Sequence, residues 1–237
     1  MRADDERSAR LTPEVARQFS GQLRKWFRRH GRDLPWRRTR DPYQVLVSEL
    51  MLQQTQVSRV VPRYAEFLEQ FPTLHDVARA RSSRVTEAWS GLGYYARARN
   101  LHALARRVTD RGRDATAVLP GDVESLRALP GIGAYTAGAV SSFAYERREE
   151  LVDTNVARVI KRVFAPHADL KTGRGQKQVW TIARELLPRT GRTTWTHNQA
   201  LMELGALVCT ARVSHCSSCP VQPMCATGHP RPSSRRS

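Results

Sequence analysis

Apolar residues recur at helical spacing along most of the chain. After a Thr-Pro-Glu helix-start signal at 12–14, the first run consists of Val15, Phe19, Leu23 and Trp26. A capping-box-like start at Asp41 predicts a second helix through about Val57. Further helices are predicted at 58–70, 74–80, 83–90, 94–112, 122–128, 135–145, 154–164, 175–187 and 195–207. Because alternating strand patterns are scarce, the sequence predicts an all-α protein.

A glycine-rich turn stands between two of these helices, in the stretch L-P-G-I-G-A-Y-T-A-G-A-V that begins at Leu129. Pro130 ends the preceding helix, since it lacks an N–H and restricts the residue before it. Gly131 and Gly133 are expected to provide positive φ and close approach. The next helix should open at Tyr135-Thr136 with free backbone N–H groups. Such a helix start favours binding of a phosphate.

Two carboxylates are candidates for chemistry. Asp153, in V-D-T-N, precedes an apolar helix; it is either an N-cap or, if a phosphate occupies the glycine turn, a group that faces a sugar. Glu49 lies among aliphatic residues at helical offsets, so we expect burial to raise its pKa, as suits a general acid. The alternative is that Glu49 pairs with an arginine and only holds two helices together.

The net charge of the chain indicates a class of binding partner. The chain of 237 residues carries 39 basic and 22 acidic side chains, a net charge of +17, which predicts attraction to a polyanion such as nucleic acid.

No apolar run is long enough to span a bilayer, and the charged N-terminus does not resemble a signal peptide, so we expect a cytoplasmic protein. The polar ends, residues 1–10 and 227–237, are predicted to be disordered tails.

All the cysteines cluster near the C-terminus in the pattern C-x6-C-x2-C-x5-C, at Cys209, Cys216, Cys219 and Cys225. Disulfides are rare in a cytosolic helical protein, whereas four closely spaced thiolates are typical of a metal site. Spacing alone leaves zinc and an iron–sulfur cluster open.

Several blocks together resemble the helix-hairpin-helix DNA glycosylases of the endonuclease III superfamily. They are L-P-W-R, D-P-Y-x-V-x-V-S-E-x-M-L-Q-Q-T-Q-V, W-x-G-L-G-Y-Y-A-R-A-R-N-L, L-P-G-I-G-x-Y-T-A-G-A-V, V-D-T-N-V-x-R-V and N-Q-A-L-M-E-L-G-A-L-V-C-T. Within the superfamily, the chain is most similar to the (MutY-like) adenine-DNA glycosylases that act on A/G and A/8-oxoguanine mismatches. The likeness covers about residues 18–226.

The resemblance implies a two-lobed fold. One lobe would consist of residues 11–36 and 148–226 and carry an iron–sulfur loop; the other, a six-helix barrel with the hairpin, would be 37–147. The cysteine spacing matches the superfamily's [4Fe-4S] loop, which favours that cluster over zinc and implies a structural role that turns Arg212 toward DNA phosphate. The implied partner is mismatched or damaged double-stranded DNA, bound by a monomer associated with the nucleoid.

The resemblance also assigns roles to single residues. Glu49 matches the acid that protonates the adenine ring, and Asp153 the aspartate that stabilises the sugar cation, with support from Tyr135 and Asn155. Strand-cutting relatives have a lysine at position 135; tyrosine cannot form a Schiff base, so little or no lyase activity is expected. Matches to substrate-binding positions are the wedge residues Gln54 and Tyr94 and the pocket residues Trp36, Arg37, Leu52 and Glu203. The phosphate would be held by Gly131, Gly133 and Thr136.

One departure from the family leaves the substrate open. Adenine glycosylases usually carry a further C-terminal domain that recognises 8-oxoguanine, and this sequence stops soon after Cys225. A glycosylase acting on T/G or U/G mismatches, which shares the acid, the tyrosine and the aspartate, is therefore the alternative. A catalytically silent DNA-binding module is a third hypothesis, which the presence of Glu49, Tyr135, Asp153 and Asn155 disfavours.

Overall fold

A computed structural model describes residues 11–111 and 118–228. Within these ranges the chain forms eleven α-helices: α1 Pro13–His30, α2 Pro42–Leu52, α3 Val57–Gln70, α4 Leu74–Arg79, α5 Ser82–Ala88, α6 Ala96–Arg111, α7 Val123–Arg127, α8 Ala134–Ala144, α9 Thr154–Phe164, α10 Gly173–Glu185 and α11 Gly191–Leu207. Short 3-10 turns lie at Pro35–Arg37, Cys216–Ser218 and Gln222–Met224. The described part of the chain contains no β-strand, only an isolated bridge between Cys209 and Ser214.

The chain divides into two compact units. The terminal unit comprises Met1–Arg32 and Arg148–Ser237, and the insert unit comprises Asp33–Arg147. The predicted tail 1–10, and all of the tail 227–237 except Thr227 and Gly228, lie outside the described residues. The lobe boundaries expected from the family stay a prediction.

In the terminal unit, α11 packs against both α1 and α9, and α9 also packs against α10. Phe19 and Leu23 from α1 are fully buried, as are Ile160 of α9 and Leu204 of α11. The Phe19 ring meets Phe164 edge-on, with 5.1 Å between ring centroids. The apolar stripe predicted in the first helix is thus the face that joins α1 to this core.

In the insert unit, α2 and α8 pack against each other, and α2 also contacts α3 and α6. Both helices are buried on every side rather than on one stripe: from Thr136 to Phe143, for example, no residue of α8 is exposed. A helix that is apolar all round belongs in the centre of a core. These two helices therefore form the interior of the insert unit. Glu49 belongs to α2, and the hairpin leads directly into α8.

The local start signals read from the sequence form real caps. The side chains of Thr12, Asp41 and Asp153 accept hydrogen bonds from backbone N–H groups three residues on, at 3.3, 3.0 and 2.6 Å. Each cap satisfies a donor that the first helical turn leaves without a partner. The sequence-based prediction of helix starts is confirmed at these positions.

Several helix boundaries differ from the prediction, and three of the differences have a visible cause. α2 ends at Leu52 instead of continuing to about Val57, and α6 begins at Ala96 instead of 94. The cause is a left-handed backbone at Gln54 (φ 55°) and Tyr94 (φ 49°), which a right-handed helix cannot contain. The last helix begins at Gly191, four residues earlier than predicted, because Thr190 caps it.

A search of the described residues finds no helix that combines the length and the apolar character needed to cross a membrane.

Candidate active site

Glu49 lies in the middle of the buried helix α2 and is only 3% exposed. A carboxyl removed from water is costly unless a hydrogen-bond donor replaces the water. Tyr135 provides one, since its hydroxyl donates to Glu49 Oε2 at 2.8 Å. The structure thus brings together two residues that are 86 positions apart in the sequence and that the family resemblance had assigned to one reaction.

Tyr135 reaches Glu49 because it lies in the first turn of α8, directly after the glycine hairpin. Gly131 has φ +76°, and a Cβ there would lie 2.6 Å from Asn100 Cβ, so both the backbone and the packing demand glycine. Gly133 differs from the prediction: its φ is −90°, in the range of any residue, and a Cβ would meet nothing within 4 Å. The expectation of positive φ is therefore correct at Gly131 and wrong at Gly133.

The hairpin leaves an exposed helix start. No side chain caps α8, and Gly133 and Ala134 are exposed. Thr136 lies beneath this surface, 2% exposed, and its Oγ1 accepts a hydrogen bond of 3.3 Å from Gln53 Nε2. An anion approaching the hairpin would therefore meet the backbone of Gly133 and Ala134 first.

Asp153 caps α9 in the terminal unit. Its Oδ1 accepts from Val156 N at 2.6 Å, and its Oδ2 accepts from Asn155 Nδ2 at 3.1 Å. Burial raises the pKa of Asp153 above the ordinary aspartate value, although the donors from Val156 and Asn155 act in the opposite direction. Asp153 is thus the N-cap of α9, as one of the two interpretations predicted. Its carboxylate is partly buried, and the side-chain amide of Asn155 is oriented toward it.

Arg158 connects this carboxylate cap to the cysteine-rich loop. Its guanidinium donates to Asn155 Oδ1 and Gly205 O, each at 2.7 Å, and to Cys209 O at 2.8 Å. Burial lowers the pKa of Arg158 below the usual arginine value. Sequence reasoning missed Arg158; its spacing of three residues from Asn155 on one helix face was the available signal.

Glu203 was predicted to line a base pocket or to pair locally in its helix. It is 1% exposed and receives a two-pronged ion pair from Arg32, with Nε and Nη2 at 2.9 and 2.8 Å and the Arg32 backbone N–H at 2.8 Å. This partner lies 171 residues away in the sequence. Since Arg32 was not singled out in the sequence, it is a second residue that sequence reasoning missed.

The other predicted substrate-binding residues, of the pocket and of the wedge, all lie in the insert unit. Trp36 and Arg37 form a 3-10 turn, and Trp36 is buried with its ring edge-on to Tyr64 at 5.6 Å. Leu52 is the last residue of α2. Gln54 and Tyr94 occupy the loops that follow α2 and precede α6, and both line one open cavity of about 510 Å³.

All four cysteines line a second cavity, of about 220 Å³, in the terminal unit. They are free thiols, and burial, with the neighbouring thiols, raises the pKa of Cys219 to about 11. Arg162 Nη1 lies 3.3 Å from Cys209 Sγ, which favours negative charge on sulfur. Arg212 belongs to the exposed stretch 211–215 beside them.

The size of this cavity tests which group the cysteines fit. A single tetrahedral zinc ion holds its sulfurs at about 2.3 Å, whereas a cluster of several atoms needs a larger space. A cavity of about 220 Å³ is several times the roughly 30 Å³ share of one water. The thiols share this cavity with apolar side chains such as Val159, Val163 and Leu204, and its volume leaves room for more than one atom.

Comparison with known proteins identifies the superfamily to which the chain is similar. The model of the HhH-GPD superfamily of base excision DNA repair proteins matches residues 47–188. The adenine DNA glycosylase of Homo sapiens is 43% identical over 218 residues, which cover 87% of this chain and 39% of the human protein. That of Mycolicibacterium smegmatis is 45% identical over 201 residues, with 84% and 66% coverage. The chain therefore spans about two fifths of the first relative and about two thirds of the second.

A solved structure gives the same result at the level of the fold. A thermostable thymine-DNA glycosylase superposes with a TM-score of 0.80 at 28% identity, covering 91% of this chain and 97% of the other.

Proposed function

Since the chain belongs to the HhH-GPD superfamily of base excision DNA repair proteins, we propose that it is a DNA glycosylase that removes adenine mispaired with guanine or 8-oxoguanine. Membership confirms the family prediction, and the all-helical structure confirms the predicted fold class. The observation that carries the activity is the Tyr135 hydroxyl on buried Glu49, at 2.8 Å. A buried carboxyl oriented by a phenol is suited to transfer a proton rather than to form a surface ion pair.

In the proposed reaction the target nucleotide leaves the DNA stack, because the atoms that react are inaccessible inside the duplex. Protonated Glu49 gives its proton to a ring nitrogen of adenine. The bond from the sugar C1′ to the base nitrogen then breaks, and its electron pair leaves with the base. Ionised Asp153 stabilises the positive charge that develops on the sugar, and water adds to C1′ and releases a proton.

The supporting residues have specific tasks in this scheme. Tyr135 fixes the orientation of the Glu49 carboxyl by donating to Oε2. Asn155 donates to Asp153 Oδ2 and is itself held by Arg158, so the carboxylate keeps one orientation. Because position 135 carries a phenol and not an amine, it forms no Schiff base with the sugar, and we propose a monofunctional enzyme with little or no lyase step.

DNA would be bound through the hairpin and the base pocket. The exposed backbone at Gly131, Gly133 and Ala134 would hold a phosphate, with Thr136 beneath it. Trp36, Arg37 and Leu52 of the insert unit, and Glu203 of the terminal unit, are each proposed to contact the base, with Glu203 oriented by Arg32. The net charge of +17 supports attraction to the DNA backbone.

The four cysteines would hold a [4Fe-4S] cluster, which the resemblance of their spacing to the superfamily's cluster loop supports, in the cavity of about 220 Å³ that all four line. Arg162, beside Cys209, would stabilise the thiolate charge, and the bound cluster would keep the loop around Arg212 in place. Purified protein should be brown, with iron and sulfide in equal amounts. A colourless protein that contains stoichiometric zinc contradicts the assignment.

The similarity to a thymine-DNA glycosylase, at a TM-score of 0.80, makes thymine or uracil opposite guanine the second candidate. Single-turnover excision from matched duplexes with A/G, A/8-oxoguanine, T/G and U/G pairs separates the two, with Asp153→Asn as the inactive control. We expect adenine release from the first two duplexes. Release of thymine or uracil without adenine would establish the second candidate, and release of no base would favour a silent DNA-binding module.

A further inference from the structure

Arg97 is a buried cation with an unusual set of partners. It is 7% exposed, and burial lowers its pKa below the usual arginine value. No carboxylate pairs with it in the described parts of the chain; its polar partners are backbone carbonyls and one hydroxyl. A buried charge is costly unless hydrogen bonds compensate for the lost water. The many hydrogen bonds to Arg97 therefore indicate that the fold holds the guanidinium at this position.

The partners of Arg97 belong to two loops. On one side, Nη1 donates to the carbonyls of Leu50, Met51 and Gln53 at 2.8, 2.9 and 2.5 Å. Leu50 and Met51 lie in the last turn of α2 and Gln53 directly follows it, where a cation is also favoured by the helix dipole. On the other side, Nη2 donates to the carbonyls of Leu92 and Gly93 at 3.1 and 2.9 Å. One guanidinium thus connects the loop after α2 to the loop before α6.

Both loops contain backbone conformations that need such support. Gln54 and Tyr94 are left-handed without being glycine, and Gly91 and Gly93 are left-handed beside them. Left-handed conformations in non-glycine residues persist only where surrounding contacts fix them, and they concentrate at ligand-binding segments. The Arg97 guanidinium also lies 5.4 Å from the centroid of the Tyr94 ring.

The surface that the two loops present is suited to nucleobases. Tyr94 is 60% exposed and Tyr95 41%, so two consecutive aromatic residues lie at this surface. Together with Gln54 and the cationic Arg99, they line the open cavity of about 510 Å³. Exposed aromatic rings beside a cation bind unstacked bases and phosphate.

We propose that Arg97 is a positioning residue for base extrusion, which holds 53–55 and 92–94 as one rigid platform that enters the DNA stack where the target nucleotide leaves it. The inference rests on the proposed glycosylase function. Extrusion opens a gap in the duplex that must be filled. A platform of fixed shape can fill this gap without the free-energy cost of ordering two loops during binding. Arg97 itself acts through Gln54 and Tyr94 and does not react.

The test compares two DNA substrates that differ in the need for this platform. In one, the target adenine is paired with guanine; in the other, it faces an abasic site analogue, where no pair has to be opened. Arg97→Lys keeps the charge but has three N–H donors in place of a planar fork of five. We expect its single-turnover rate to fall on the order of 10- to 100-fold on the paired substrate and much less on the other.

A second variant and a control guard against simple misfolding. Gly93→Ala strains the left-handed loop (φ +69°) while a Cβ would meet nothing within 4 Å, so it disturbs the platform without removing Arg97. The single-turnover rate of Gly93→Ala should also fall more on the paired substrate than on the substrate with the abasic site analogue. Tyr43→Phe removes a buried hydrogen bond of 2.7 Å to Phe71 O elsewhere in the insert unit; it should lower Tm and leave the ratio of the two rates unchanged.

A fluorescence measurement makes the inference independent of excision. With 2-aminopurine next to the target, wild-type binding should raise the fluorescence by unstacking, and both variants should raise it less at saturating protein. Equal fluorescence for wild type and variants, no rise with wild type, or equal rate losses on both substrates would overturn the role of Arg97. If wild type unstacks the DNA but excises nothing, the proposed function fails and the role of Arg97 stands.

Discussion

The two hairpin glycines provide a matched pair of substitutions. Gly131→Ala places a Cβ 2.6 Å from Asn100 Cβ at φ +76°. A left-handed alanine costs about 1–2 kcal/mol, and the clash, which no side-chain rotation relieves, adds about 1–3 kcal/mol. The loss of about 2–5 kcal/mol compares with a typical folding free energy of about 5–15 kcal/mol. The variant should fold with a clearly lower Tm.

Gly133→Ala should have the opposite profile. Its φ of −90° suits alanine, and the new Cβ meets nothing within 4 Å, so the free energy of unfolding should change by less than about 1 kcal/mol. The methyl group occupies the exposed space where a phosphate would approach the α8 amides. We therefore expect DNA affinity to fall at least about tenfold, or about 1.4 kcal/mol.

Thermal unfolding by circular dichroism and fluorescence anisotropy with an A/G duplex at one fixed salt concentration measure the two effects. Salt must be constant because phosphate contacts dominate its influence on affinity. Unaltered DNA binding by Gly133→Ala would refute the phosphate seat at the hairpin. A strongly destabilised Gly133→Ala would refute the reasoning from the empty space around its α-carbon.

Three further predictions concern single side chains. Tyr135→Lys should add strand nicking, detectable by borohydride trapping on DNA; absence of a trapped complex would argue against the assigned position of residue 135. Arg158→Met removes the donors to Asn155 Oδ1 and Cys209 O and should lower the excision rate about tenfold while Asp153 keeps its cap, whereas an unchanged rate would contradict its positioning role. Burial lowers the pKa of His197 from 6.5 to about 3. At pH values between 6.5 and about 3, His197 therefore binds a proton in the unfolded chain but not in the native protein. The free energy of unfolding consequently decreases as the pH falls through this range. Urea unfolding should show wild type losing about 2 kcal/mol more than His197→Gln between pH 7.5 and pH 5; parallel losses would contradict this.

Local signals in the sequence predicted most helices because the caps are local. Asp41 and Asp153 each accept a bond from an amide three residues away, a distance that a sequence window contains. The low-propensity start Gly191 was missed because the Thr190 cap and packing outweigh the cost of glycine in a helix.

The errors at Gln54 and Tyr94 have a long-range cause. Their left-handed backbone depends on Arg97, whose bonds reach as far as Leu50, 47 residues away, and no propensity scale contains that information. The same applies to Glu203, whose ion pair with Arg32 joins residues 171 positions apart. The motifs predicted the site residues, whereas the residues that hold these side chains in place became visible only in the structure.

The central claim is that two carboxylates, Glu49 and Asp153, remove a base from DNA, and removal of each acid tests it most directly. Glu49→Gln and Asp153→Asn keep the shape of the side chain and lose the acid or the charge. We predict single-turnover excision reduced at least about 100-fold in each variant, with DNA affinity within about threefold of wild type. Excision at the wild-type rate by either variant would contradict the mechanism.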